Sequence, residues 1–179
     1  MSAWIEHLND CVLSRYATRL SGGHAEPFYR APLDDDPAEV QFTLDYVRSA
    51  LHELWHWCIA GDARRLLDDY GYWYQPDGRS DEQQCLFYEV EIKPQAIEKH
   101  FCTALDLHFE VSTDNLVNHP RDGIDAFSGR VHEQYLKYLS DGFPQRATEI
   151  FDCLQQWLSL IHISEPTRPT RASRMPSSA

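Results

Sequence analysis

The sequence predicts a helix-rich α+β domain with a small sheet and one metal-binding helix. Three observations carry this. Long segments repeat apolar residues at helical spacing, two short segments are rich in β-branched and aromatic residues, and His52-Glu53-Leu54-Trp55-His56 lies inside one of the helical segments. The alternation of a few strands with more helices fits an α+β class.

Taken in order, Ile5, Leu8, Val12, Tyr16 and Leu20 recur at helical spacing, which predicts an amphipathic helix over 3–20 stopped by Gly22-Gly23. Pro27-Phe28-Tyr29-Arg30 and Val40-Gln41-Phe42-Thr43-Leu44 read as short strands. Asp45 is a candidate cap for a helix from Tyr46 to Ala60 ended by Gly61, and Asp62 starts a short helix through Leu67. Pro76-Asp77-Gly78 marks a turn in the aromatic stretch 70–79. Ser80 and Gln83 have capping-box spacing and open a helix toward Glu91. Pro94 cannot donate to the carbonyl four residues back, so a break is expected there before a second helical stretch to Leu105. Leu107 to Val111 reads as a strand, followed by helices near 125–140 and 145–157.

The chain has 179 residues, enough for one core, and its 42% hydrophobic content excludes a disordered chain. With 16 basic against 28 acidic residues, the net charge is −12. That surface argues against nucleic acid as a partner, because phosphate binding needs a basic footprint. Asp34-Asp35-Asp36, between Pro32 and Pro37, reads as a solvated loop. Cys11, Cys58, Cys85, Cys102 and Cys153 are scattered and form no CxxC pair, so neither a disulfide framework nor a zinc ribbon is suggested. No signal peptide and no apolar run of membrane-spanning length is seen, so the expected location is the cytoplasm, with no membrane partner.

Residues four apart share a helix face, so His52 and His56 can offer imidazole nitrogens to one ion with Glu53 beside them. Two imidazoles leave a divalent metal under-coordinated, and a third protein ligand is expected. Glu89 and Glu91 are the best carboxylate candidates, because they sit in an otherwise apolar stretch. His100, His108 and His132 are further candidates whose simpler reading is packing or exposure without metal.

The segment from His52 to Gly61, with Ala63-Arg64-Arg65, Tyr70-Gly71-Tyr72-Trp73-Tyr74 and Pro76-Asp77-Gly78-Arg79, resembles the elongation factor P hydroxylases of bacteria. The resemblance continues through Val90-Glu91-Ile92-Lys93-Pro94-Gln95-Ala96, Val111-Ser112 and Asp114-Asn115-Leu116, in the family's order. It implies a fold similar to small metal-dependent hydrolases, with the HExxH helix beside a short sheet. It also implies a non-haem Fe(II) monooxygenase that uses O₂ to hydroxylate a modified, lysylated lysine of elongation factor P. On this resemblance the metal ligands are His52, His56 and Glu91, the acid directly before the Ile-Lys-Pro-Gln-Ala run. Zinc or another divalent ion could occupy such a donor set. Glu53 is then a catalytic residue that orients the site or assists proton delivery, and Tyr70, Tyr72, Trp73 and Tyr74 are candidates to line the pocket. Arg64, Arg65, Arg79 and Lys93 are candidate docking residues for an acidic partner. The competing reading is a zinc metallopeptidase or related hydrolase in which Glu53 activates water. A non-catalytic metal-stabilised binding module is the third.

Residues 1–157 are expected to form the hydroxylase-like domain, lacking the family's C-terminal end. Leu158 to Arg168 and Ser173 to Ala179 resemble the in-frame translation of a sequencing-library adapter, so 158–179 is expected to be a non-native tail.

Overall fold

A computed structural model describes residues 3–71, 81–113 and 121–164. Helix α1 spans Ala3–Cys11, strand β1 Thr18–His24, β2 Phe28–Arg30 and β3 Ala38–Thr43. Helix α2 spans Val47–Ile59, α3 Asp81–Ala104, α4 Arg121–Asp141 and α5 Gln145–Ser164. Helices thus dominate a three-stranded sheet of order β1-β3-β2, and the α+β expectation holds.

Strand β3 is central. It pairs in parallel with β1, placing Leu20 opposite Val40, and antiparallel with β2, placing Tyr29 opposite Val40. Leu20, Tyr29, Val40 and Phe42 are buried in the same core as Ile5 and Leu8 of α1 and Leu51, Leu54, Trp55 and Trp57 of α2. Burying each such side chain contributes about 1.5–3 kcal/mol, which ties α1, the sheet and α2 into one unit.

The first predicted helix is corrected. It ends at Cys11, a 3₁₀ turn covers Leu13–Tyr16, and Ala17 enters the left-handed region at φ 45°. The pattern from Ile5 to Leu20 belongs to three elements that all face one core. Leu20 is held as strand by Asn9, whose Oδ1 accepts from the Leu20 amide while its Nδ2 donates to the Leu20 carbonyl. Gly22 allows the ribbon to close on β3, because a Cβ there would lie 2.5 Å from Phe42 Cζ.

Helix α2 forms as expected, but without a cap from Asp45. Tyr46 occupies the capping position and makes no side-chain cap bond. The far end of α2 is closed by Arg146 of α5, whose Nη2 donates to the carbonyls of Cys58 (3.0 Å) and Ala60 (2.5 Å). Those carbonyls have no intrahelical partner, so a cation from a neighbouring helix is a strong substitute. The same guanidinium lies 4.9 Å from the Trp57 ring.

Helix α3 runs through Pro94 without a break, since tertiary packing outweighs the missing donor; Gln95, Ala96 and Ile97, just beyond, are fully buried. Residues 107–111 form no strand. Side chains satisfy that backbone instead: Arg48 Nη2 donates to the Glu110 carbonyl at 2.6 Å, and Gln95 bonds both the amide and the carbonyl of Ser112. The Asp34–Asp36 loop is exposed, as expected. The core-packing residues of α5 end at Trp157, and Leu160 and Ile161 beyond it are exposed. No helix among the described residues is long and apolar enough to cross a membrane. The turn at Pro76–Gly78 and the capping Ser80 lie outside the described residues.

Candidate metal centre

The candidate centre lies where one face of α2 meets one face of α3. Helical spacing stacks Arg48, His52 and His56 along α2, and Glu91, Gln95 and Glu98 along α3. The rings of His52 and His56 have centroids 5.2 Å apart. Both pack on Trp55, at 4.9 Å for His52 and 3.4 Å for His56. Trp55 is 1% exposed and fixes the floor beneath the two imidazoles.

Three carboxylates surround them. Glu98 is 2% exposed, with Oε2 3.6 Å from His52 Nδ1 and Oε1 3.4 Å from Arg48 Nη2. Glu91 is buried and accepts from Gln95 Nε2 at 3.3 Å, with its charge felt at His52. Glu53, half-buried on α2, acts electrostatically on both His52 and Tyr70. Burial works against a charged His52, but the hydrogen-bonding geometry of Glu98 and the charges of Glu53, Glu98 and Glu91 push it up to about 9. Burial, reinforced by the positive charge of His52, holds His56 well below the usual imidazole range.

Tyr70 is buried on the His56 side of the cluster. Its ring centroid lies 6.3 Å from that of His56 and 4.1 Å from that of Tyr29, nearly parallel to both. Its hydroxyl is buried with no hydrogen-bond partner among the described residues, and burial raises its ionisation well above the usual range. Asp69 and Tyr70 both have left-handed φ, 47° and 58°. Such residues cost about 1–3 kcal/mol each unless their surroundings hold them. Here the Asp69 and Asp68 carboxylates accept from the Tyr29 and Ala31 amides on the free edge of β2. Arg64 Nη1 donates to the Tyr70 carbonyl at 3.2 Å.

The expected residues are thus brought together in one region, with His52 and His56 on one face, Glu53 beside them and Glu91 buried across from them. Glu89 is separated from them: it is exposed and forms a bidentate pair with Arg130 of α4. His100 is packed between Phe143 and Phe151, His108 is exposed beside Glu110, and His132 lies against Lys99. Arg65 pairs with Asp62, while Lys93 is exposed on α3. Tyr72, Trp73, Tyr74 and Arg79 lie outside the described residues.

Glu98 and Arg48 escaped the sequence reading. The signal was present in Glu91, Gln95 and Glu98, polar residues at positions i, i+4 and i+7, which share a buried face of α3. The donor atoms of His52, His56 and Glu91 do not all lie within 4.8 Å of one another. The donor set nevertheless fits a divalent cation: two imidazoles from α2 lie within electrostatic reach of the Glu53, Glu91 and Glu98 carboxylates, and Glu98 Oε2, shut off from solvent, lies 3.6 Å from His52 Nδ1.

The fold and the site define a small α+β protein with an imidazole–carboxylate cluster between two helices, roofed by an aromatic residue. A family model described as elongation factor P hydroxylase matches residues 7–166. A Haemophilus influenzae protein named elongation factor P lysine hydroxylase is 42% identical over 152 residues, covering 84% of this chain and 85% of that protein. The chain belongs to the elongation factor P hydroxylase family. The matched span extends past Trp157 into the last turns of α5.

Proposed function

We propose that this chain is a non-haem Fe(II) monooxygenase that hydroxylates the lysylated lysine of elongation factor P. The single observation that carries the reading is the relationship, over 84% of the chain, to a protein named elongation factor P lysine hydroxylase. The buried imidazole–carboxylate cluster supports it. His52 and His56 supply two nitrogen donors from α2, and α3 supplies the acid. Glu91 is the acid of the family pattern, whereas Glu98 has its carboxylate nearest to His52. When bound, Fe(II) supplies the redox chemistry by which O₂ reacts with a C–H bond.

The chain's own residues do the rest. Trp55 fixes the two ring planes, and Arg48 and Gln95 hold the Glu98 and Glu91 carboxylates in place. Tyr70 and Tyr29 cover the end of the site nearest His56 and exclude water there. Glu53, within electrostatic reach of both His52 and Tyr70, orients the site and can carry a proton between the cluster and its mouth. The family relationship gives no support to the peptidase reading, in which Glu53 would be the base for hydrolysis.

The test is to load the anaerobically purified chain with Fe(II), add lysylated elongation factor P and O₂, and weigh the factor. Gain of one oxygen atom is the expected result. An unchanged mass with iron-loaded protein would overturn the assignment.

A further inference from the structure

On the side of the fold formed by α1 and α5, His7, Cys11 and Cys153 each place a donor atom within 4.8 Å of the other two, the only such trio of His, Cys, Asp or Glu among the described residues. His7 and Cys11 are four apart on α1, so both face the same way, and Cys153 enters from α5. Cys153 is 2% exposed, and His7 and Cys11 are half-buried. His7 Nε2 is shut off from solvent with no hydrogen-bond partner among the described residues. An unpaired buried ring nitrogen costs about 1–3 kcal/mol, and nothing in the hydroxylation chemistry accounts for it. Trp157 closes one side, its ring 5.7 Å from that of His7.

We propose that His7, Cys11 and Cys153 form a second metal site, separate from the α2–α3 cluster, that takes a thiophilic divalent ion of the zinc class. Two sulfur donors and one imidazole select zinc over hard cations such as magnesium or calcium. A tetrahedral zinc site brings such donors to roughly 3.3–3.8 Å from one another, so the closure required is at most about 1.5 Å, within reach of side-chain rotation. Three protein ligands leave a fourth position for water or another small donor. Binding displaces the thiol protons of Cys11 and Cys153 to solvent as the metal–sulfur bonds form. The site clamps the first helix to the last, joining positions 7 and 153 across nearly the whole domain.

Cobalt(II) separates this site from the α2–α3 cluster, since a thiolate ligand gives a sulfur-to-cobalt charge-transfer band that imidazole and carboxylate cannot. Cobalt titrated anaerobically into the intact chain should produce that band, and zinc should bleach it. The band should persist in His52→Ala and disappear in Cys11→Ser and Cys153→Ser. As Cys153 is buried, the unmodified chain gives a second readout: saturating zinc should slow alkylation of Cys11 at least tenfold. Absence of the band, its survival in both cysteine variants, or Cys11 alkylation unaffected by zinc would each overturn the proposal.

Discussion

The molecule repeats one geometric device in two places with different donors. Between α2 and α3, His52 and His56 are four apart on one helix and face carboxylates from another. Between α1 and α5, His7 and Cys11 are four apart and face Cys153. The first set is hard to borderline, rich in negative charge and roofed by Tyr70, a setting suited to a reactive ion that must meet a substrate. The second is soft and is covered on one side by Trp157, a setting suited to an ion that holds helices together. Spacing on a helix therefore creates the opportunity for a site, while the chemistry of the facing helix decides its use.

The largest expected effect separates the two regions outright. His52→Ala and His56→Ala should each reduce oxygen insertion to the uncatalysed background, measured by mass on elongation factor P, while leaving the cobalt–thiolate band intact. Next, Glu98→Gln and Glu91→Gln should differ. The acid that ligates the metal should lose activity and metal together, whereas the one that only positions its neighbours should lose roughly 10–100-fold. Metal content and turnover measured on both variants decide between them; equal, small effects would remove both acids from the centre.

Structural substitutions come after these. Trp57→Ala should cost about 3–5 kcal/mol, read by chemical denaturation, because Trp57 of α2 is fully buried between Tyr16 and Arg146 of α5. Gly22→Ala should cost about 1–3 kcal/mol, since the new Cβ meets Phe42 at 2.5 Å and Leu44 O at 2.8 Å.

The smallest effect lies in the sheet, away from both regions. Burial would raise Glu39, but hydrogen bonds from Gln41, Ser21 and Arg30 and the charge of Arg19 hold it at about 2. A carboxylate lowered in the folded state stabilises it above its ordinary pKa of 4.5, and that contribution is lost as pH falls from there toward 2. Glu39→Gln should therefore lower stability near neutrality and flatten the profile across that window, so that the variant and the unmodified chain converge toward pH 2, measured by denaturation at a series of pH values.

The α2–α3 region was largely legible in the sequence. His52 and His56 share a face by spacing alone, and α2, β2 and β3 follow from periodicity and composition. Glu98 was less visible, because a lone acid in a long helix shows its burial only when the partner helix is known. Between α1 and β1 the pattern misled. Ile5, Leu8, Val12, Tyr16 and Leu20 fit one helix, yet Leu20 is in a strand whose backbone bonds a side chain, Asn9, eleven residues earlier. Residues 107–111 failed for a similar reason, since Arg48 and Gln95 replace the missing strand partner. The His7–Cys11–Cys153 cluster was invisible because it joins residues 146 positions apart through packing alone. The core packing of α5 ends at Trp157, while α5 continues as helix to Ser164 and the family match runs to residue 166.

The central claim is that the α2–α3 cluster performs the hydroxylation and the α1–α5 cluster does not. It is tested most directly by the mass of lysylated elongation factor P after incubation with iron-loaded chain, His52→Ala and Cys11→Ser. One added oxygen with the unmodified chain and with Cys11→Ser, and none with His52→Ala, is the expected result. An added oxygen from His52→Ala, or none from the unmodified chain, would contradict it.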